Sequence, residues 1–239
     1  MKTYYTKLLQ YLTVFSLLLL VSCGGGGGSS APAATFKASA YFNKTAVGNT
    51  WTFTGTTTST GVVNTSGIIS DVNLNTAFAN GVFTQTDTTI TNGVAAAPTT
   101  STTYIDTNGN LMSSTTTGVT TVLPATFSVG TTWQLAAATA TSSVITGTIQ
   151  GVGVSCSSPG GTFNDCIKVS ASGSGSGTEV LSGTNYNYTY ASTIIEYYSP
   201  TVGNAVEQSL SSNLTFTAGI IGNEIVTETE SLQAGYIAN

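Results

Sequence analysis

The chain has 239 residues, only 6% of them charged, with five lysines, ten acidic residues and no histidine. There is no arginine either, so a nucleic-acid backbone would find no Lys/Arg cluster to hold it. The missing imidazole also removes Ser-His-Asp and Cys-His catalysis.

Lys2 and Lys7 precede a largely apolar run over residues 8–20. A membrane-spanning helix needs about 20 apolar residues, so this run reads as a secretory signal. Its ending, Leu20-Val21-Ser22-Cys23, resembles the bacterial lipobox, in which the cysteine becomes the lipidated N-terminus. Residues 1–22 are therefore expected to be a lipoprotein signal peptide and Cys23 the lipidation site. Residues 23–39 are the anchor and its Gly/Ser-rich tether, with GGGGGSSAPAAT (24–35) having nothing to bury. Gly24, rather than an aspartate, favours sorting to the outer membrane by the same resemblance. Beyond residue 22, three lysines stand against ten acids, a net side-chain charge of −7. Anionic membrane surfaces would repel such a domain, leaving the lipid as its membrane contact.

From about Ala40 the pattern is that of β-strands: Thr, Val, Ile, Tyr and Phe in short alternating runs between Gly, Asn, Ser and Pro. Trp51 and Phe53 alternate with threonines. Tyr104-Ile105-Asp106-Thr107 runs into Asn108-Gly109, a strong hairpin signal. Asp106 also opens a stretch that superficially looks like a calcium loop. The EF-hand pattern needs Gly at position six and Glu at twelve, where this chain has Leu111 and Thr117, so the hairpin turn is the better reading. Val144-Ile145 and Val152–Val154 lead to Cys156, and Cys166-Ile167-Lys168-Val169 leads away. Gly173-Ser174-Gly175-Ser176-Gly177 reads as a mobile loop, since a phosphate loop would need a lysine and a following helix. Ile194–Tyr198 should stop before Pro200, and Leu214–Phe216 with Ile225–Thr227 form a last hairpin turning near Gly222-Asn223. No mature segment carries a 3.6-residue apolar period.

Cys156 and Cys166 are the two cysteines left after the lipidated one. In an exported protein they are expected to form a disulfide rather than a metal site, which would lack histidine and further cysteine partners. The intervening Ser157-Ser158-Pro159-Gly160-Gly161 reads as a turn that brings the flanking strands face to face.

Val47-Gly48-Asn49-Thr50-Trp51 recurs as Val129-Gly130-Thr131-Thr132-Trp133, and the Tyr104–Asn110 segment is echoed by Tyr198–Asn204. Two similar halves, about 41–122 and 123–210, plus a C-terminal hairpin are thus expected within one all-β domain over 40–239. Both tryptophans should be core.

The remaining chemistry is sparse. The ten acids are scattered, and Glu228 and Glu230, which share a strand face, read as solvated surface residues. Tyr186, Tyr188 and Tyr190 share another face, and with Tyr197 and Tyr198 they are the candidate ligand-binding residues. They would form either an aromatic platform for a sugar or apolar ligand, or a half-buried strand face with cross-strand aromatic pairs. The second reading weighs more. Strand edges are usually guarded by lysine or proline, and both are scarce here. The edges must therefore close into a barrel, be covered by loops or pair with a partner. A membrane-spanning barrel is disfavoured by the lipobox and by the lack of a terminal aromatic at Asn239.

VGNTWTF, LPATFSVGTTW, GGTFNDCIKVS and EYYSPTVGNAVEQ together resemble a group of uncharacterised bacterial lipoproteins over roughly residues 41–210. More distantly the chain is similar to the DUF3108 group of periplasmic β proteins. Asn204 and Ala205 depart from the more apolar VGLV continuation of that group. The resemblance implies an all-β fold and an envelope location, and no activity.

The sequence is thus read as an all-β lipoprotein of the cell envelope, tethered to the outer membrane. Its curved antiparallel sheet, internally duplicated, closes as a sandwich or an open barrel. It is expected to be no enzyme and to need no cofactor or metal. A non-enzymatic binding or structural role follows, toward an apolar ligand or a protein partner. The alternatives are a surface adhesion module with a protein or glycan partner and, behind it, a hydrolase.

Overall fold

The computed structural model describes residues 35–42, 46–62, 64–116, 118–181, 184–216 and 222–233. The expected signal peptide, the expected lipidation site Cys23 and residues 24–34 of the expected tether lie outside these residues. In chain order the elements are β1 (Phe36–Lys37), a 3-10 turn (Ala38–Tyr41), β2 (Thr50–Gly61), β3 (Thr65–Ala79), β4 (Val82–Thr91) and β5 (Val94–Ala95). There follow β6 (Thr99–Ile105), β7 (Leu111–Thr115), β8 (Gly118–Leu123), β9 (Thr126–Phe127) and β10 (Thr132–Ala136). The long strands come last: β11 (Ile145–Ser158), β12 (Gly161–Leu181), β13 (Thr184–Ser199), β14 (Asn204–Phe216) and β15 (Gly222–Leu232). The all-β expectation holds, and β13 does end just before Pro200.

Apart from the small β1–β9 pair, all strands belong to one curved antiparallel sheet in the order β10-β11-β12-β13-β14-β15-β2-β3-β4-β6-β7-β8, with β5 beside β4. The end of the chain returns to its start, since β15 pairs with β2, placing Leu232 opposite Phe53 and Glu224 opposite Gly61. The result is a nearly closed barrel. Its two free edges, β8 and β10, meet without a ladder, and Trp133 Nε1 donates to the Thr121 carbonyl at 2.8 Å across the gap. The indole fits there because Gly147 on β11 has no side chain: a Cβ would stand 2.5 Å from its ring.

The sheet divides into two six-stranded meanders, β2-β3-β4-β6-β7-β8 and β10 through β15. The motifs repeated in the sequence fall at matching places in them. Gly48 and Gly130 both have positive φ (92° and 87°), and each tryptophan is the second residue of its meander's first strand. The turns within Tyr104–Asn110 and Tyr198–Asn204 both join a fourth strand to a fifth. Trp51 is fully buried and donates to the Val202 carbonyl at 3.1 Å, whereas Trp133 is half-buried at the seam.

Alternation separates the two faces. On β15, Glu224, Val226, Glu228, Glu230 and Leu232 are buried, while Asn223, Ile225, Thr227 and Thr229 are exposed. The neighbouring β2 buries Trp51, Phe53, Thr57 and Ser59, and every outward position from Thr50 to Thr60 is threonine, with Thr58 bonding Thr227 at 2.6 Å. The outer wall here is hydroxyl-bearing and uncharged, and the acids point inward.

One end of the barrel is closed by two pieces. Residues 36–42 tuck under it, with Ala38 and Tyr41 buried against Leu123, Phe127 and Ile167, so this part of the expected tether is packed structure. The tip of the β11–β12 hairpin bends across the same end: Gly160 N–H donates to the Leu232 carbonyl at 3.0 Å and Ser157 N–H to Glu207 Oε1 at 3.0 Å. Register shifts between Ile149 and Cys156 bend the hairpin. The Cys156–Cys166 disulfide, with Cα atoms 6.2 Å apart, holds the bend against Trp51, Phe53 and Val206.

Two local expectations are corrected. Gly173–Gly177 is not a loop but part of β12, because its glycines make room for rings on β13: a Cβ on Gly177 would lie 2.5 Å from the Tyr188 hydroxyl, and one on Gly175 2.7 Å from that of Tyr190. Gly222 and Asn223 are not the last turn, since they already pair with Phe216 and Thr215 in the β14–β15 ladder.

Candidate functional site

The inner wall is graded along the barrel axis. At the closed end lie the apolar groups around Phe127 and Trp51, and toward the other end Tyr188, Leu214, Phe216 and Val226 form a second apolar patch. Between them runs a belt of carboxyls. Register builds it: Glu230 faces Gln208 on β14, which faces Glu196 on β13, and on the other side Glu230 faces Gly55 on β2. Asp71 on β3 stands opposite Phe53, next along from Gly55, and Asp87 on β4 stands opposite Asn73.

Gly55 matters because it removes one side chain from the belt. Glu230 reaches over it to hydrogen-bond the carboxyl of Asp71. Two ionised carboxylates are acceptors only, so this bond requires one of the pair to hold a proton. Two belt oxygens go unserved: Asp71 Oδ1 and Glu230 Oε1 are buried and meet no partner among the described residues. Glu228 is 5% exposed and Glu230 8% exposed. The two described lysines do not help, as Lys37 is exposed and Lys168 stands 5.6 Å from the Tyr197 ring centre.

Burial without a counter-charge disfavours the ionised form. Burial first, and then repulsion from Asp71 and Glu228, pushes Glu230 up to about 9. Burial and Asp71 push Glu228 up to about 7. Asp87 is raised to about 6 by burial, opposed by the Ser101 hydroxyl at 3.3 Å. Burial also raises Asp71, Glu196 and Glu224, although Tyr198 donates to Glu196 at 2.7 Å and Ser59 donates to Glu224.

Reading Glu228 and Glu230 as solvated surface residues is therefore overturned. The signal was present in their phase: residues 224, 226, 228, 230 and 232 share a face, and Val226 and Leu232 mark that face as the buried one. Two acids outside the belt shift the other way. Burial would raise Asp106, but hydrogen bonds from Asn110, Asn108 and Gly109 outweigh it and lower it, making the expected turn between β6 and β7. Asp165 is likewise lowered on balance by Thr201 and Ser199.

The five candidate tyrosines do not make one platform. Tyr186, Tyr188 and Tyr190 do share the inner face of β13, where Tyr188 packs 5.9 Å from Phe216, centre to centre. Tyr198 lies inside near the closed end beside Glu196. Tyr197 points outward and, with Ile195, Glu207, Ser209, Thr54 and Thr229, lines a groove of about 340 Å³ on the outer wall. Among the described residues no three acids or cysteines are arranged to hold a metal ion.

Fold and site together define an all-β, nearly closed barrel with an acid-lined interior. No family model matches the chain, and no curated protein matches it.

Proposed function

We propose that this chain is a lipoprotein of the cell envelope, anchored through Cys23, whose barrel is a non-enzymatic binding module that takes a small ligand with an apolar body inside. The observation that carries this reading is the inner wall, where Glu228 and Glu230 are over nine-tenths buried and two buried oxygens, Glu230 Oε1 and Asp71 Oδ1, meet no hydrogen-bond partner among the described residues. Natural interiors satisfy their buried polar atoms, so groups left open in this way call for a partner. Barrel width agrees, since eight strands already suffice for side chains to fill the interior and this sheet lines up twelve. Apolar patches on either side of the belt supply walls for the body of a ligand.

Native mass spectrometry of the mature chain, exported to an oxidising compartment and purified without detergent, tests the module. An adduct on the order of a few hundred daltons, lost on denaturation, is expected for a pocket of ordinary ligand size. The bare mass under every loading condition would refute it. The anchor is tested separately by membrane fractionation, in which Cys23→Ser should release the chain from the membrane pellet.

A second reading is favoured by the outer groove. Tyr197 offers an aromatic face there, flanked by threonine and serine hydroxyls and by Glu207, the mixture that holds a sugar ring. This supports the adhesion alternative, and retention on a polysaccharide column that Tyr197→Ala abolishes would select it.

A further inference from the structure

We infer that the ligand of the barrel is an organic amine bound as its ammonium ion, with an alkyl or aryl body, and that the Asp71–Glu228–Glu230 belt is its site. This rests on the reading of the barrel as a binding module and adds the charge and chemical class of what it binds.

The argument starts from sign. Asp71, Glu228 and Glu230 influence one another electrostatically, Asp87 adds to the same field from β4, and no described basic side chain enters it. Anions are repelled from such a wall, and a neutral apolar molecule would leave its open acceptors open. A cation offsets the charge and satisfies them together. An ammonium head has three N–H donors, and two buried acceptors stand open at this level, Asp71 Oδ1 and Glu230 Oε1, with the buried Glu228 carboxyl beside them on β15. A bare metal ion is the poorer fit, because it needs several oxygen ligands around one point and no three acids among the described residues are so arranged, whereas an ammonium head can be held by the two open acceptors. The apolar surroundings then specify the rest of the molecule. Leu210 lies opposite Glu228, Ile69 opposite Gly55, and the Tyr188, Leu214 and Phe216 patch follows along the axis. An amine with a hydrophobic tail would lay its head on the belt and its body along that wall.

Proton balance follows. The empty belt holds protons, at least one of them between Asp71 and Glu230, and a cation replaces them, so binding releases protons to solvent. The groups facing Glu228 and Glu230 are Asp71 on β3, Asp87 on β4, Glu224 on β15, and Glu196 with Tyr198 on β13, while β2 and β14 offer no ionisable inner side chain there. Every one of these is an acid, so amine affinity should rise with pH across the range where the belt ionises.

The test is calorimetry on the whole mature chain with three probes of equal chain length: decylammonium, decanol and decanoate. Decylammonium is expected to bind at least about tenfold more tightly than decanol. Decanoate is expected not to bind, and the decylammonium titration should release protons, read from its dependence on buffer ionisation heat. Glu228→Gln with Glu230→Gln should remove the tenfold advantage while keeping the far-ultraviolet circular dichroism of the wild-type chain, which shows that the variant is folded. Decanol or decanoate binding as tightly as the amine would overturn the cation and leave the binding module standing. No binding of any probe by the wild-type chain would overturn both.

Discussion

Glu230 on β15 hydrogen-bonds Asp71 on β3 across an intervening strand, and the residue between them is Gly55. A Cβ on Gly55 would sit 1.5 Å from the Thr229 carbonyl oxygen, so no side chain fits there without moving β15. Gly55→Ala should therefore destabilise the barrel by about 1–3 kcal/mol, measured by urea unfolding. An alanine variant as stable as the wild type would mean that β2 and β15 do not approach this closely.

The belt makes stability depend on pH with a definite sign. Glutamate in an unfolded chain titrates near about 4.3, whereas Glu228 is held at about 7 and Glu230 at about 9. Between those values the folded state binds more protons than the unfolded one, so stability falls as pH rises. The contribution is fully present below about pH 4. It is lost through about 6 for Asp87, 7 for Glu228 and 9 for Glu230. Asp106 and Asp165 act oppositely, their lowered values costing stability only as the solution becomes strongly acidic. The urea midpoint should be higher at pH 5 than at pH 8, by a margin that Glu228→Gln and Glu230→Gln each reduce. A midpoint that rises over the same interval would contradict the buried belt.

Much of this architecture is legible in the sequence, and what is not has a physical cause. Alternation of Trp51 and Phe53 with threonine, the Asn108-Gly109 turn and the stop at Pro200 are local signals, set by side-chain period and backbone preference. Closure is a matter of partners far apart in the chain: nothing local says that Leu232 will lie opposite Phe53. Residue type alone places Glu228 and Glu230 at the surface, whereas the phase that they share with Val226 and Leu232 places them on the buried side of β15. Gly173–Gly177 reads as a loop for a related reason. Glycine usually weakens a strand, and only the neighbouring strand shows that Tyr188 and Tyr190 occupy the space its missing side chains leave.

That last relationship is directly testable. In Gly177→Val, atoms would be forced into the Tyr188 ring, which itself packs on Phe216. Overpacking of this kind costs about 1–3 kcal/mol, and the tyrosine near-ultraviolet circular dichroism should change with it. Ser176→Val, an exposed position on the same strand, should leave both signals alone. Equal effects from the two substitutions would show that Gly177 does not lie beneath the ring.

The disulfide should act on the closed end of the barrel rather than on the belt. Closing a loop between positions ten residues apart is worth about 3 kcal/mol in the chain-entropy description. Replacing Cys156 and Cys166 with alanine should lower stability by roughly that amount. It should also speed hydrogen exchange at the Gly160 and Ser157 amides, whose acceptors are the Leu232 carbonyl and Glu207. Exchange in the middle of β15 and β2 should change less, since their ladder does not depend on the hairpin tip.

The seam between β8 and β10 is the weakest place in the wall, because side chains rather than a ladder close it. Trp133→Phe keeps an aromatic ring over Gly147 and removes the donor to Thr121. A hydrogen bond of this kind contributes about 1 kcal/mol net, a small part of global stability, but here it crosses the gap between two free strand edges. Such edges can template pairing with another chain, so the variant should exchange β8 and β10 amides faster and self-associate at lower concentration, read by hydrogen exchange and sedimentation. Trp51→Phe supplies the contrast. It removes a bond of similar kind to the Val202 carbonyl, but inside a continuous ladder. It should therefore lower stability without promoting association, and association in both variants alike would remove the seam as its cause.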